Sequence, residues 1–148
     1  MNSEQLSVRV TLWVNRCIAL GVAVLCFAMP SLLGWYRTVR TLTPEEAMAI
    51  TVAFYCCAVV AETALWHTEK LMSNILRGSV FVKNNVDRLR ILRWCCLGVS
   101  LICVPAALVY YPLVFMVVIM GFLSLVVNVL CQVMKAAVAI REENDLTV

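Results

Sequence analysis

Four polar side chains interrupt long apolar runs and are the residues best placed to do chemistry. Glu62 lies in the run Val59–Trp66, and counting inward from the predicted helix ends places Arg16, Arg93 and Asn128 at a similar depth. Ionisable groups inside a membrane span cost free energy and are functional candidates by default. One hypothesis is therefore a buried network in which Glu62 pairs with Arg16 or Arg93, and Asn128 completes it.

The alternative is a layer of charge at the membrane interface. The two arginines would then extend to the lipid phosphates, and Glu62 would lie near headgroup water. If the network forms, it fixes helix register more than it adds stability, because desolvation offsets much of the attraction. It could also be linked to proton uptake, since burial disfavours the charged form of a carboxyl group.

The composition indicates that lipid surrounds most of the chain. Its 148 residues are 63% apolar and 14% charged, with a mean hydropathy of +0.91. A soluble domain is about 45–50% apolar and about 25% charged. These values exclude a soluble globular enzyme, a disordered tail and a nucleic-acid-binding domain, and they predict a lipid bilayer as the principal partner.

Four apolar runs predict an all-α integral membrane protein with a single domain, 1–148. A bilayer span needs about 20 apolar residues. The predicted spans are about 11–33, 47–66, 91–109 and 113–139. We expect them to form two antiparallel hairpins in a four-helix bundle, with an outer loop at 34–43, a cytoplasmic loop at about 67–90 and a cytoplasmic tail at about 140–148.

Local signals mark two of the helix boundaries. Thr43 has the residue type of an N-cap, Pro44 that of a first helical position, and Glu46 completes a capping box. Pro112 and the tyrosines before it predict a tight break between the third and fourth helices. The pair Asn84 and Asn85 predicts a turn or cap before the third helix, which we expect to begin near Asp87.

The distribution of Lys and Arg predicts the orientation. Arg37 and Arg40 are the two cations expected on one side of the membrane, and the other ten lie on the opposite side. Because cytoplasmic loops carry the excess of Lys and Arg, both termini and the central loop are predicted to be cytoplasmic, at a bacterial inner membrane.

The cysteines predict packing and not a metal site. All eight fall inside apolar runs, and His67 is the one histidine of the chain. Cysteine then serves as a small apolar residue in helix contacts. No cofactor and no metal site are expected, and no spacing resembles a nucleophile elbow, a phosphate loop or a catalytic triad.

Two helix faces predict helix contacts within the membrane. Small residues recur at every fourth position of the second helix, and polar residues form a stripe on the fourth. The two sets are Ala49, Ala53, Cys57 and Ala61, and Gly121, Ser124, Asn128, Gln132 and Lys135. The first set favours packing within the chain or a homo-oligomer, and the second favours helix packing or a substrate path.

Charged residues of the central loop and the tail form a candidate interaction surface. The basic members are Arg77, Lys83, Arg88 and Arg90, and the acidic members are Glu142, Glu143 and Asp145. The basic set could bind anionic lipid headgroups or dock a cytoplasmic protein. Direct binding of nucleic acid is not expected, because Asp87 interrupts the basic set and no nucleic-acid-binding motif is present.

Two stretches resemble a known family. They are 78–90, GSVFVKNNVDRLR, and 141–148, REENDLTV. The chain is similar to the bacterial family named "domain of unknown function 2975", whose members carry an F-x-x-x-N-V-x-x-L-R-like stretch before the third span and tend to end in E-N-D-L-T-[VI]. The resemblance implies a four-helix inner-membrane protein, often encoded beside a small helix-turn-helix regulator of the Cro/CI type, and it brings no catalytic residue.

These observations predict a protein that is not an enzyme. We expect a membrane-anchored regulatory or sensory partner of a cytoplasmic protein, for which the resemblance implies a helix-turn-helix regulator. The alternative is a small transporter or immunity-type efflux protein. It would use Glu62 and the polar stripe of the fourth helix as a path.

Overall fold

The computed structural model describes residues 3–77 and 83–146. They form four α-helices, α1 (Ser3–Val39), α2 (Pro44–Leu76), α3 (Lys83–Val109) and α4 (Val114–Leu146), with a short 3-10 turn at Tyr111–Leu113. All four helices are long and apolar enough to cross a membrane. The prediction of an all-α fold with four helices that could span a membrane is therefore confirmed for the described residues, and such helices are expected of a multi-pass membrane protein.

The capping box at the start of α2 is confirmed. The Thr43 hydroxyl accepts a hydrogen bond from the Glu46 backbone N–H at 3.2 Å, and the Glu46 carboxylate accepts one from the Thr43 N–H at 2.8 Å. These two bonds satisfy backbone donors that a helix start otherwise leaves unpaired. Pro44 follows at the first position, where its missing N–H costs nothing.

The break between α3 and α4 is also confirmed, and it lies beside the end of α1. Tyr110 has an extended backbone just before the 3-10 turn. Its hydroxyl is 2.8 Å from that of Tyr36 in α1, and the Arg40 guanidinium lies 5.5 Å from the Tyr110 ring centroid. The hydrogen bond with Tyr36, followed by burial, raises the pKa of Tyr110 above its usual value.

The helices are longer than the membrane spans that hydropathy predicts, and they include much of the chain between those spans. Much of the predicted outer loop, up to Val39, is helical, and so is most of the loop expected at 67–90. The tail expected at 140–148 is helical up to Leu146. A helix satisfies its backbone groups internally in lipid and in water alike, so it need not end at the membrane surface.

The two asparagines expected to precede α3 lie inside its first turn. α3 begins at Lys83 and not near Asp87. The Asn85 side chain, which is 0% exposed, accepts a hydrogen bond from the Asn74 amide of α2 at 2.8 Å. The asparagine predicts a cap formed within its own helix, whereas Asn85 bonds to another helix. Gly78, a candidate helix stop, lies outside the described residues.

The helices pack side by side as an open row, in chain order. α2 contacts α1 on one side and α3 on the other, and α4 contacts α3. Among the residues that the structure describes, α1 does not contact α3 or α4, and α2 does not contact α4. Lipid solvates apolar faces as well as other helices do, so no hydrophobic force closes the row.

One cluster of buried apolar residues lies near one end of the row. Val86 of α3 and Cys131 and Val138 of α4 form this cluster, and Leu89 and Met134 pack against it. We call this the termini end, because α1 begins there, α4 ends there, and Arg77 and Lys83 lie there. The opposite end holds Tyr36, Thr43 and Tyr110.

We predict that Thr43→Ala lowers the free energy of unfolding by about 1 kcal/mol, because the variant loses the side-chain half of the capping box. Thermal or denaturant unfolding in detergent micelles, followed by circular dichroism, measures this loss. Thr41→Ala is the matched control, since Thr41 is exposed and precedes the helix. Equal losses in the two variants would show that the cap does not stabilise α2.

Candidate functional site at the termini end

Polar side chains join neighbouring helices in the half of the row near the termini end. The Asn15 amide of α1 donates to the Leu65 carbonyl of α2 at 3.1 Å, and Asn15 is buried. Asn74 donates to Asn85 between α2 and α3. Each contact pairs a residue near the start of one helix with a residue near the end of its neighbour. The contacts therefore fix the register of three helices that run in alternating directions.

Three exposed tryptophans lie at one level of the row. Trp13 is close in sequence to Asn15, and Trp66 follows Leu65, so the Asn15 bond places the two tryptophans at a similar level along the row. Trp94 lies about as far from Asn85 as Trp66 lies from Asn74, so it shares their level in α3. Their exposed fractions are 69%, 61% and 58% in chain order. Exposed tryptophans at one depth are typical of a membrane–water interface.

Cations accompany this tryptophan level. The Lys70 ammonium lies 5.1 Å from the Trp66 ring centroid, and the Arg93 guanidinium lies 5.2 Å from that of Trp94. Contacts of this kind are attractive because the ring face is electron-rich. The level therefore combines the two features that anchor a helix at the headgroups, aromatic rings and cations.

Arg93 and Asn128, two of the four predicted network residues, are bonded to each other. The Arg93 Nη1 donates to the Asn128 Oδ1 at 2.7 Å. The Ser124 hydroxyl also donates to the Arg93 carbonyl at 3.1 Å. These bonds join α3 to α4 beside the tryptophan level, where a guanidinium has both headgroups and a protein acceptor within reach.

Arg16 pairs with Glu69, a residue outside the predicted network. Its Nη2 and Nε donate to the Glu69 Oε1 at 2.8 and 3.0 Å. The side chains are 58% and 31% exposed, so the pair lies at the surface of the row. Exposed ion pairs of this kind contribute little to stability, and the contact serves to align α1 with α2.

Glu62 pairs with neither arginine, contrary to the network hypothesis. It is partly buried, and its Oε1 is buried without a hydrogen-bond partner among the described residues. Glu62 lies about one helical turn from Trp66, on the side away from the termini end. It therefore lies further from the termini end than the tryptophan level, beside which Arg16 and Arg93 lie.

The direction of the side chains explains why this pairing is absent. In a helix the Cα–Cβ bond tilts toward the N-terminus. α1 and α3 begin at the termini end, so Arg16 and Arg93 lean toward it, whereas α2 begins at the opposite end, so Glu62 leans away. Asn128 lies closer to the termini end than Arg93 does, and its side chain leans toward Arg93. In the same way, Glu69 lies closer to the termini end than Arg16 does, and its side chain leans toward Arg16.

The polar stripe of α4 divides between packing and exposure. Ser124 is buried against α3, and a Cβ built on Gly121 would meet the Ser100 Oγ of α3 at 3.4 Å. Gln132 and Lys135 are exposed. Because α2 and α4 are not in contact within the described part of the chain, the stripe and Glu62 do not form a continuous path in one copy.

The charged residues of the candidate interaction surface are distributed around the termini end. Arg77 follows α2 and is exposed, as are Lys83 and Arg90 in α3, and Arg90 lies 3.5 Å from Asp87. Arg88 is partly buried, and its Nε has no hydrogen-bond partner within the described ranges.

The acidic members of that surface follow on α4. Glu143 is exposed in the last turns of the helix. The side chains of Glu142 and Asp145 lie outside what the structure describes, and so do residues 78–82 and 147–148 of the two family-like stretches. The exposed cations and Glu143 thus lie at the same end of the row.

Two hydrogen bonds between helices at this end were not predicted from the sequence. They involve three asparagines, Asn15, Asn74 and Asn85. Asparagine is a poor former of helix interiors, and an asparagine within a long helical pattern therefore signals a bond to a neighbouring helix. That signal was available at Asn15, three residues from Leu12 and four from Ala19 in an apolar run.

We predict that Arg16 couples to Glu69 and not to Glu62. A double-mutant cycle with Arg16→Ala and Glu69→Ala should give a coupling of about 0.2–1 kcal/mol in unfolding measured in detergent. Arg16→Ala combined with Glu62→Gln should be additive within about 0.3–0.5 kcal/mol. Coupling in the second cycle that exceeds the first would show that the predicted network forms in solution.

Comparison with known proteins supplies the family. Residues 17–148 match the family described as "Protein of unknown function (DUF2975)". The matched range includes most of α1 and all of α2, α3 and α4. Comparisons with curated proteins and with solved structures find no match. The chain therefore belongs to the DUF2975 family of proteins of unknown function.

Proposed function

We propose that this chain is a membrane-anchored interaction protein that binds a cytoplasmic protein through its termini end and catalyses no reaction. The observation that carries the proposal is that helices continue past the tryptophan level as a packed structure. The cluster around Val86, Cys131 and Val138 and the bond to fully buried Asn85 lie in this extension. Residues that served only as a lipid anchor would not need to pack beyond the lipid.

The size of the extension supports binding of a protein. α2 continues about 10 residues past Trp66, or about 15 Å, and α4 continues about 18 residues past Asn128, or about 27 Å. A projection of this length exceeds the headgroup region on one side of a bilayer, which is roughly 5–8 Å deep. α4 in particular offers a helical surface to a partner in water.

The charge distribution supports a cytoplasmic location for the termini end. Arg37 and Arg40 are exposed at the opposite end of α1, and the other Lys and Arg residues lie toward the termini end. The excess of cations marks the cytoplasmic side in bacterial membrane proteins. The exposed Arg77, Lys83 and Arg90 would then face the cytoplasm.

The same cations favour an acidic surface on the partner. Complementary charge steers association and fixes orientation. The family resemblance implies the kind of partner, a helix-turn-helix regulator encoded beside the membrane protein. A regulator held at the membrane in this way would be released or retained as the termini end changes its contacts.

The transport alternative remains a second hypothesis for Glu62 alone. The observation in its favour is the buried Oε1 without a partner in an apolar span. Since the α4 stripe is bonded to α3, a path would require a second copy of the chain to bring polar groups to Glu62.

We predict that a reporter fused after Val148 is active in the cytoplasm and that one inserted at Thr41 is active outside it. Alkaline phosphatase and green fluorescent protein fusions measure the two locations, because the first is active only outside the cytoplasm and the second fluoresces only inside it. An active phosphatase fused after Val148 would contradict the proposed orientation and with it the proposed function.

We further predict that reversing exposed charges at the termini end abolishes partner binding. Lys83→Glu with Arg90→Glu should lose binding of the purified neighbouring regulator to the full chain in nanodiscs, since rim charges control encounter and orientation. Arg37→Glu with Arg40→Glu, the same change at the opposite end, is the matched control and should bind normally. Equal binding by both double variants, or no binding by the wild type, would contradict the proposal.

A further inference from the structure

We propose that Cys57 and Cys103 form a redox-active dithiol inside the membrane, which a lipid-soluble quinone oxidises to a disulfide that links α2 to α3. The Sγ atoms of the two residues are 3.7 Å apart. Cys103 is 2% exposed and Cys57 is partly buried, so each thiol has the other as its polar neighbour. This site is separate from the termini end and does not depend on the proposed function.

The geometry requires little movement to form the bond. A disulfide has an S–S length of about 2.05 Å, so the two sulfur atoms must approach by about 1.7 Å in total. Rotation about the Cα–Cβ bonds supplies a shift of this size. The helices are already held close, because Ala53 and Ala106, both buried, lie one turn from the thiols in α2 and α3.

An apolar groove lies between α2 and α3, about one helical turn from the dithiol on the side of the opposite end. It has a volume of about 440 Å³. Its lining includes Ala53, one turn before Cys57, and Ile102 and Ala106, on either side of Cys103 in the sequence; the two cysteines themselves do not line it. A groove of this polarity admits a lipid-soluble ring and excludes ionic, water-soluble oxidants.

The groove also has one polar group at its mouth. Glu45 lines it in the first turn of α2, next to the capping box. A quinone carries its oxygens on an apolar ring only a few ångströms across, so the ring with its oxygens could enter past Glu45 and lie among the alanines, about one turn from the dithiol. The groove thus fits the same class of oxidant that the membrane location of the thiols requires.

The proposed step balances in atoms and electrons. The Cys57 and Cys103 thiols each lose one proton, and one S–S bond forms. The two electrons pass to the quinone, which takes up two protons and leaves as the hydroquinone. A dithiol reductant reverses the step by thiol–disulfide exchange.

The test uses the full chain, reduced and reconstituted in phosphatidylcholine nanodiscs. A fully substituted benzoquinone is the oxidant, because it has no free ring position to which a thiol could add. After oxidation, free thiols are blocked with a maleimide, and the disulfide-linked peptides are identified by mass spectrometry. We expect the Cys57–Cys103 link in the wild type, and its loss on treatment with dithiothreitol.

Serine variants test the assignment. Cys57→Ser and Cys103→Ser should each abolish the link, while Cys56→Ser, the neighbouring and lipid-exposed position, should form it as the wild type does. Wild-type thiols that all remain reduced, or links spread over other cysteine pairs, would overturn the proposal. This wild-type result does not depend on how any variant folds.

A bulky residue in the groove tests the route of the oxidant. Val52→Phe should slow formation of the link several-fold, because the added ring narrows the groove that ends about one turn from Cys57. Val59→Phe is the control, since Val59 is exposed on the same helix and does not line the groove. Equal rates for the two variants would show that the oxidant does not enter by the groove.

Discussion

The structure depends on one constraint, which is that lipid solvates every apolar helix face equally well. Burial of apolar surface does not choose the neighbours of a helix in this solvent, so close packing and hydrogen bonds must do so. The chain meets this requirement with a few specific contacts between consecutive helices, such as Asn15 with Leu65, Asn74 with Asn85, and Arg93 with Asn128. The open row follows, because no comparable set of contacts joins α1 to α4 within the described residues.

Those contacts are concentrated near the termini end, and this distribution gives the molecule two different halves. Between the tryptophan level and the opposite end, small residues such as Ala53 and Ala106 set the distance between α2 and α3. Toward the termini end, hydrogen bonds between polar groups and the Val86 cluster hold the helices together. One half is therefore suited to contact with lipid and lipid-soluble molecules, and the other to contact with water and proteins.

The sequence was sufficient for the elements but not for their arrangement. Hydropathy predicts four spans because chain composition alone determines what a bilayer accepts, and Thr43 and Glu46 predict a helix start through purely local bonds. Hydropathy does not mark where a helix ends when a polar stretch also remains helical, as in α2 after Trp66. It also does not specify which apolar helix faces meet, so the order of the helices in the row was not predicted.

The pairing of the polar residues shows a second limit. Depth counted along the chain treats a side chain as if it lay beside its own Cα, and on that basis Glu62 and Arg16 share a level. The tilt of side chains toward the helix N-terminus separates them and brings Arg16 to Glu69 and Arg93 to Asn128. Depths counted along antiparallel helices therefore need this tilt before they are compared.

The row also determines how the protein comes apart within the bilayer. α1 and α4 each have one helical neighbour, whereas α2 and α3 each have two. An edge helix can separate by breaking a single interface and still remain inserted, because each helix is stable across the membrane by itself. Loss of native structure is then stepwise and begins at α1. The last pair to part is α3 with α4, because these two helices share the most extensive interface and the Val86 cluster.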